Sequence, residues 1–176
     1  MRTTFVVPDD LDAPRRGDDV VAPGDTIPPH NPMCYGCGPR SPHGLHLSMI
    51  AGEGVTATGE LLVEPRFEGG PGVIHGGILA SVFDESMGLG LMLMGLTAVT
   101  VVLDIDYARP VPIGTRLRLD ARVLGTRRRQ VYAEATATVL GADRAAGEPV
   151  AGAHGLFVIV DPHAHFGPTR DLGQKE

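Results

Sequence analysis

Apolar and polar residues alternate along several stretches of the chain, which is typical of strands with one buried face. The stretch 55–63 alternates in this way, and a shorter stretch, 45–49, places Leu, Leu and Met at alternate positions. The stretches 115–123 and 130–139 also alternate, and the short link between them predicts a β-hairpin. The run 150–160 is apolar on both faces, which predicts a strand inside the sheet.

A different pattern follows the second predicted strand. From Gly76 to Leu96 the chain is rich in Leu, Met, Ile and Gly, and β-branched residues take over at Thr97. This change predicts a buried helix followed by a strand, although the uncharged run 86–103 is about long enough to suggest a membrane span. We expect the helix glycines 88, 90 and 95 to allow close approach of the sheet.

In the strand after the helix, alternation assigns side chains to two faces. One face is expected to carry Val101, Leu103, Ile105 and Tyr107, and the other Thr100, Asp104 and Asp106. The order of two strands, one long helix and four strands predicts an α+β fold with a single antiparallel sheet around the helix.

A chain of 176 residues is long enough for one good core and too short for two ordinary domains. Residues 1–32 contain six prolines and no apolar periodicity, which indicates an extended or disordered N-terminal arm. We expect the folded domain over 33–161 and a polar C-terminal tail over 162–176.

The charge and cysteine content exclude several classes of protein. A formal charge of -6 and a pI near 5.6 disfavour binding to nucleic acid or to an anionic membrane. Two cysteines cannot form the disulfide framework of a small secreted domain, and the N-terminus has no basic region followed by an apolar run. We therefore expect a cytoplasmic protein that spans no membrane.

Three stretches of the sequence resemble one known family. They are "CYGCGPRSPHGLHL", "GVIHGGILASVFDES" and "TVVLDIDYARPV", and the resemblance extends from about Cys34 to Val160. Together they resemble the hotdog-fold acyl-CoA thioesterases of the PaaI-like group. The resemblance implies a sheet curled around a central helix, homodimers that often pair into homotetramers, an acyl-CoA substrate, no metal and no cofactor.

The middle stretch carries the expected catalytic residues. The resemblance implies that His-Gly-Gly opens the helix and that the carboxylate nine residues after the histidine, here Asp84, is catalytic. A carboxylate among the apolar residues of this segment is costly unless it has a purpose or a partner. The N–H groups of Gly76 and Gly77 at a helix N-terminus can stabilise an oxyanion, and Asp84 can act as base or as nucleophile.

Two further residues accompany this expected site. His75 just before the helix is expected to have a structural, hydrogen-bonded role in preference to general-base catalysis. Thr100 matches a position where relatives of the family place a hydroxyl near the carboxylate, and the alternative is an ordinary strand threonine.

The expected substrate contacts are less specific. Many relatives of the family carry, six residues before the histidine, an Asn that helps to hold the thioester carbonyl or the water. This chain has Gly69 there, which leaves that polar contact in doubt. Glu85 could also face the substrate, or it could lie on a solvated edge of the helix. Arg127, Arg128 and Arg129 suit the phosphates of coenzyme A, although a charge run on a hairpin is usually solvated.

Cys34 and Cys37 raise the question of a metal. With histidines nearby they invite a zinc site, but no second cysteine pair is present, and the Gly and Pro residues around them are those of turns. We therefore expect no bound metal, and no redox dithiol because no βαβ pattern follows.

Two other functions remain open from the sequence. A hotdog-fold hydratase or dehydratase would need His75 to turn toward the acyl chain. A non-catalytic acyl-CoA-binding protein would be marked by loss of the carboxylate at position 84, and Asp84 is present.

Overall fold

The computed structural model describes residues 5–141 and 145–167 of the chain. Within this part it contains six strands, two α-helices and one 3-10 turn. In chain order these are β1 (Met49–Ala51), β2 (Thr56–Leu62), the 3-10 turn (Pro65–Phe67), α1 (Gly76–Met92), β3 (Ala98–Tyr107), β4 (Arg116–Arg127), β5 (Gln130–Leu140), β6 (Ala146–Ile159) and α2 (Pro162–Phe166).

The strands form one antiparallel sheet in the order β1-β2-β4-β5-β6-β3. The alternating apolar residues of β2, β4 and β5 form one buried face, and α1 packs on the sheet through Leu79, Val82, Phe83 and Met87, which are buried. One layer of sheet around one helix confirms the predicted α+β fold. The long strands β4 and β5 form where alternation is most regular, because each has a complete apolar face to bury.

The predicted strands are found with altered bounds. The hairpin is tighter than expected, since β4 and β5 pair down to Arg127 and Gln130, which leaves only two residues in the turn. The strand predicted over 45–49 is wrong in its first part, because β1 begins at Met49. Leu45 and Leu47 are nevertheless buried, and their N–H groups bond to carbonyls of the loop at residues 35 and 36.

A bulge in β3 changes which side chains face α1. The pairing with β6 shifts between Thr100 and Val102, and Val101 between them is 56% exposed. Thr100 and Tyr107 both donate hydrogen bonds to α1, although alternation alone would put residues seven positions apart on opposite faces. The predicted grouping of Thr100 with Asp104 and Asp106, and of Val101 with the inner residues, is therefore wrong.

The close approach of helix and sheet occurs at a glycine in a strand. A Cβ atom at Gly155 of β6 would lie 2.6 Å from the Phe157 ring and 3.1 Å from Met87 of α1. A Cβ at Gly88 would meet nothing within 4 Å, and Gly95 follows the helix with a positive φ of 69°. The predicted packing role is therefore wrong for Gly88 and Gly95.

The segment before β1 is extended and bonds to the domain. The N–H of Gly17 donates to the carbonyl of Leu93 just after α1, and the N–H of Ile27 donates to the carbonyl of Met49 at 2.8 Å. The Ile27 side chain is buried in the core. This segment therefore lies on the sheet and carries His30 to the cluster described below.

At the other end of the chain, Asp161 caps the short helix α2, and residues 168–176 of the predicted tail lie outside the described residues. The uncharged run 86–103 divides between α1 and β3. In the residues that the structure describes, no helix is both long enough and apolar enough to cross a membrane.

Candidate active site on the central helix

The start of α1 is shaped by His75. Its backbone is extended, with φ -71° and ψ 131°, and its Nδ1 accepts the N–H of Gly77 at 2.9 Å, so it is the N-cap of the helix. An imidazole that accepts at Nδ1 carries its proton on Nε2 when neutral. This is the structural role that we predicted for His75 from its position.

The cap leaves the N–H groups of the two glycines in different states. The Gly77 N–H is held by His75, whereas the Gly76 N–H has no hydrogen-bond partner among the described residues. Gly76 lies at the first helical position, where an N–H points outward from the helix end. Of the two predicted oxyanion donors, the structure leaves the Gly76 N–H available and the Gly77 N–H occupied.

Gly69 lies directly against the capping residue. A Cβ atom there would be 2.7 Å from the Cα and 2.9 Å from the Cβ of His75, so no side chain fits without a shift of the backbone. Its N–H bonds to the carbonyl of Val73. Gly69 thus fixes the approach of the loop to the helix and offers no side chain to a substrate.

Tyr107 is a residue of this site that sequence reasoning missed. Its hydroxyl donates to the carbonyl oxygen of Gly76 at 2.9 Å, and its ring is 3.6 Å from the position of a Cβ atom at Gly76. Tyr107 is 52% exposed. In the sequence, an aromatic residue at the end of an alternating strand indicated only that Tyr107 packs against its neighbours.

Asp84 lies two turns further along α1 and faces β3. The hydroxyl of Thr100 donates to Asp84 Oδ1 at 2.6 Å. Burial raises the pKa of Asp84 above its ordinary value, the bond from Thr100 opposes this, and the charge of Glu85 adds to the rise. The carboxylate is thus partly desolvated, oriented by one donor and open on its remaining side.

Glu85 points in a different direction from Asp84. Only 9% of its surface is exposed, so the alternative of a solvated helix edge is wrong. Its carboxylate lies beside His30, Cys34 and Cys37 of the N-terminal loop. Neighbouring helical residues point about 100° apart, which separates Glu85 from the face that carries Asp84.

The three arginines are at the β4–β5 turn. Arg129 donates to the carbonyl of Ile159, and Arg127 is 3.5 Å from Asp10. Arg128 has a positive φ of 57° and makes no hydrogen bond or ion pair within the described residues. Two of the three are therefore engaged within the chain, and Arg128 keeps its full set of donors.

The arrangement supplies a carboxylate and an outward amide but does not bring them together in one chain. Gly76 and Asp84 are eight residues apart on the same helix, which is about 12 Å along its axis. Groups that act on one carbonyl carbon must each lie about 3 Å from the reacting atoms. A single α1 therefore provides two half-sites.

Part of the chain is similar to known thioesterases. Residues 71–146, which contain α1 and β3, match the family model described as "Thioesterase superfamily". The chain is 34% identical over 68 residues to the Xenopus laevis protein named acyl-coenzyme A thioesterase THEM4, which is 39% of this chain. The match spans only 31% of the Xenopus protein.

Solved structures share the fold. The E. coli PaaI protein from the phenylacetic acid degradation operon has a TM-score of 0.59 at 22% identity, covering 66% of this chain and 81% of that one. A Streptococcus mutans protein, smu.793, solved bound to acetyl CoA, has a TM-score of 0.58 at 23% identity, covering 65% of this chain and 88% of that one. At these identities the likeness concerns the fold.

Proposed function

We propose that this chain is a hotdog-fold thioesterase and that it hydrolyses the thioester bond of an acyl-coenzyme A to a free acid and coenzyme A. The proposal extends to this chain the activity in the name of its relatives. It depends on one observation above all, the half-buried Asp84 carboxylate held by Thr100 on the open side of α1.

The chemistry follows from what each group can do. Asp84 takes a proton from a water molecule that attacks the thioester carbonyl, or attacks the carbonyl itself. The carbonyl oxygen becomes an oxyanion, which the Gly76 N–H stabilises with the positive end of the α1 dipole. The carbon–sulfur bond then breaks, and the coenzyme A thiolate leaves and takes up a proton. Water attack gives the free acid directly, whereas attack by Asp84 gives a mixed anhydride that a water molecule then hydrolyses to the free acid and the Asp84 carboxylate.

Thr100 positions the carboxylate for this step. Its hydroxyl occupies Asp84 Oδ1, so Oδ2 is the oxygen left for the water or for the carbonyl carbon. A threonine on a bulge of an edge strand holds this direction because its χ1 is restricted and its backbone is fixed by pairing with β6. Thr100 acts through Asp84 and is a positioning residue.

A second copy of the chain completes the site. β3 is an edge strand of ten residues that pairs with β6 on one side only within the described sheet. Along β3, Thr100 marks the position of Asp84 and Tyr107 marks that of Gly76. Antiparallel pairing of two β3 strands about a point between these residues would bring Asp84 of one chain toward Gly76 of the other.

Such a homodimer has two equivalent sites, because a two-fold axis repeats each contact. It also covers an unpaired edge, which in a stable protein is usually paired or protected. Association of two dimers into a tetramer is compatible with it.

Arg128 is the arginine of the hairpin that remains free to contact the phosphates of coenzyme A.

The hydratase alternative is less well supported. It needs His75 as a catalytic group beside the acyl chain, and His75 Nδ1 is occupied by the helix cap.

Two free cysteines side by side are consistent with a reducing compartment, so we propose a cytoplasmic location.

The test is thiol release from a panel of acyl-coenzyme A substrates that differ in chain length and include aryl-acyl groups. Wild type should release thiol from at least one of them. Asp84→Asn keeps the shape but cannot accept a proton, so its kcat should fall by about 10²-fold or more with substrate binding retained.

Asp120→Asn is the matched control. Asp120 is on the outer face of β4, where it pairs with Arg118 in an exposed contact. Its loss should leave thiol release close to wild type, because exposed ion pairs contribute about 0–1 kcal/mol. Asp84→Asn activity within a few-fold of wild type would show that the reaction does not use this carboxylate.

A further inference from the structure

Four potential metal ligands meet on the side of α1 away from Asp84. They are His30, Cys34 and Cys37 from the loop before β1, and Glu85 from the helix. One ligand atom of each lies within 4.8 Å of all the others. The four residues come from two separate parts of the chain, and the proposed hydrolysis uses none of them.

Three of the separations between these ligand atoms are close to those expected around one ion. His30 Nδ1 is 3.2 Å from Cys37 Sγ and 3.4 Å from Glu85 Oε1. Cys34 Sγ is 3.4 Å from Glu85 Oε2. Bonds of about 2.0–2.3 Å in a tetrahedral zinc site place neighbouring ligand atoms about 3.3–3.8 Å apart.

The Glu85 carboxylate lacks a full set of partners without an ion. Glu85 is 9% exposed, and its Oε1 is buried with no hydrogen bond in the described residues. His30 is within ion-pair distance of this oxygen, but the contact lacks hydrogen-bond geometry, so Oε1 remains unsatisfied. An unsatisfied charged oxygen in the interior is costly, and a cation at the centre of the cluster would remove that cost.

The loop that carries the cysteines is shaped around this point. The N–H of Gly36 donates to Cys34 Sγ at 3.3 Å, as backbone amides do to metal-bound thiolates. A Cβ atom at Gly36 would lie 2.1 Å from Glu85 Oε2, and one at Gly38 would lie 2.4 Å from the Cys34 nitrogen. Both positions thus require glycine for the loop to close on Glu85.

We propose that His30, Cys34, Cys37 and Glu85 bind one structural zinc ion. Two thiolates, an imidazole and a carboxylate form a donor set that zinc accepts, and four protein ligands leave no open coordination position for substrate. Binding releases the two thiol protons to solvent and uses the neutral imidazole at Nδ1. The expectation of no metal assumed that the cysteines had no further ligands, and the fold supplies both of them.

The ion would attach the loop before β1 to the central helix. Its helix ligand, Glu85, is next to Asp84, so the zinc would fix the rotation of α1 at the position where the carboxylate faces Thr100. The zinc site would thus be a structural cross-link beside the proposed active site and would take no part in the reaction. It does not depend on the proposed activity.

The direct test is the metal content of the untagged full-length protein, purified without chelators and dialysed against metal-free buffer. Wild type should retain one zinc per chain, and Cys34→Ser and Cys37→Ser should retain almost none. His43→Ala is the matched control, because His43 is exposed, close in sequence and outside the cluster, and it should retain full zinc. Asp84→Asn should also retain full zinc while it loses thiol release.

Cobalt substitution provides a readout that does not need a folded cysteine variant. Co²⁺ in wild type should show a thiolate-to-cobalt charge-transfer band and the intense visible bands of a tetrahedral ion. Glu85→Gln and Gly36→Ala, which keep both thiols, should weaken zinc binding by more than about 10-fold. A metal-free wild type grown with added zinc, a chain with a Cys34–Cys37 disulfide, or octahedral cobalt spectra would each overturn the proposal.

Discussion

At the scale of single residues, the catalytic assignment depends on which neighbours each side chain meets. The motif predicted a helix that opens after His75 and contains Asp84, and α1 does begin at Gly76, because a helix start and an apolar segment can be read from residue order. Which amide is free could not be read, since it depends on His75 turning its Nδ1 onto the Gly77 N–H. Residue order also missed the buried position of Glu85 beside the cysteine loop.

Thr100 gives the sharpest test at this scale. Thr100→Val removes the hydroxyl that holds Asp84 Oδ1 but keeps the branched shape, so kcat should fall roughly 10- to 100-fold, which corresponds to about 1.5–3 kcal/mol for a hydrogen bond to a charged group. Steady-state thiol release should show little change in KM, since Thr100 acts through Asp84.

Thr100→Ser is the matched variant because it restores the donor. It should recover most of the lost kcat. A threonine with a purely structural role on β3 would not show this recovery. Equal losses in both variants would mean that the branched side chain matters and the hydroxyl does not.

At the scale of secondary-structure elements, β2, β4, β5 and the helix position were predictable because each has one clear apolar face or segment. The bulge in β3 was not, since an extra residue leaves the local composition unchanged and shows only in the pairing with β6. The meeting of the cysteine loop with Glu85 could not be predicted for a related reason, because Glu85 reaches the loop only after α1 has packed on the sheet.

The packing of α1 on β6 can be tested at Gly155. Gly155→Ala adds a methyl group where Phe157 and Met87 leave no room, so the free energy of unfolding should fall by about 1–3 kcal/mol. Denaturant unfolding at fixed protein and zinc concentration measures it.

Gly152→Ala is the control on the same strand. A Cβ atom there has its nearest neighbour at 3.7 Å, which is ordinary contact, so the free energy of unfolding should change by less than about 0.5 kcal/mol. If both variants unfold alike, the close approach of helix and sheet is not at Gly155.

At the scale of the whole molecule, we propose that the catalytic groups of one site come from two chains. Gly76 and Asp84 of one chain are about 12 Å apart along α1, so they cannot both act on the same carbonyl. The unpaired edge of β3 offers the surface on which the two chains can meet. The distance between Gly76 and Asp84 could be predicted from residue order. The hydrogen bonds from Thr100 and Tyr107 of β3 show in addition that both residues lie beside this edge strand.

Gly76→Pro isolates the oxyanion donor. Proline is favoured at the first helical position, the preceding ψ of 131° is compatible with it, and a Cβ atom there would be 3.6 Å from Tyr107, so the fold should tolerate the change. Only the N–H is lost. Gly76→Ala keeps the N–H with the same Cβ atom and is the control.

The most direct measurement is thiol release by a heterodimer of Gly76→Pro and Asp84→Asn chains, co-expressed with two different tags and isolated by both. Each homodimer should be inactive, and the heterodimer should regain about half of the wild-type rate, because one of its two sites pairs an intact amide with an intact carboxylate. No recovery in a well-folded heterodimer, or full activity in a proven monomer, would contradict the shared site.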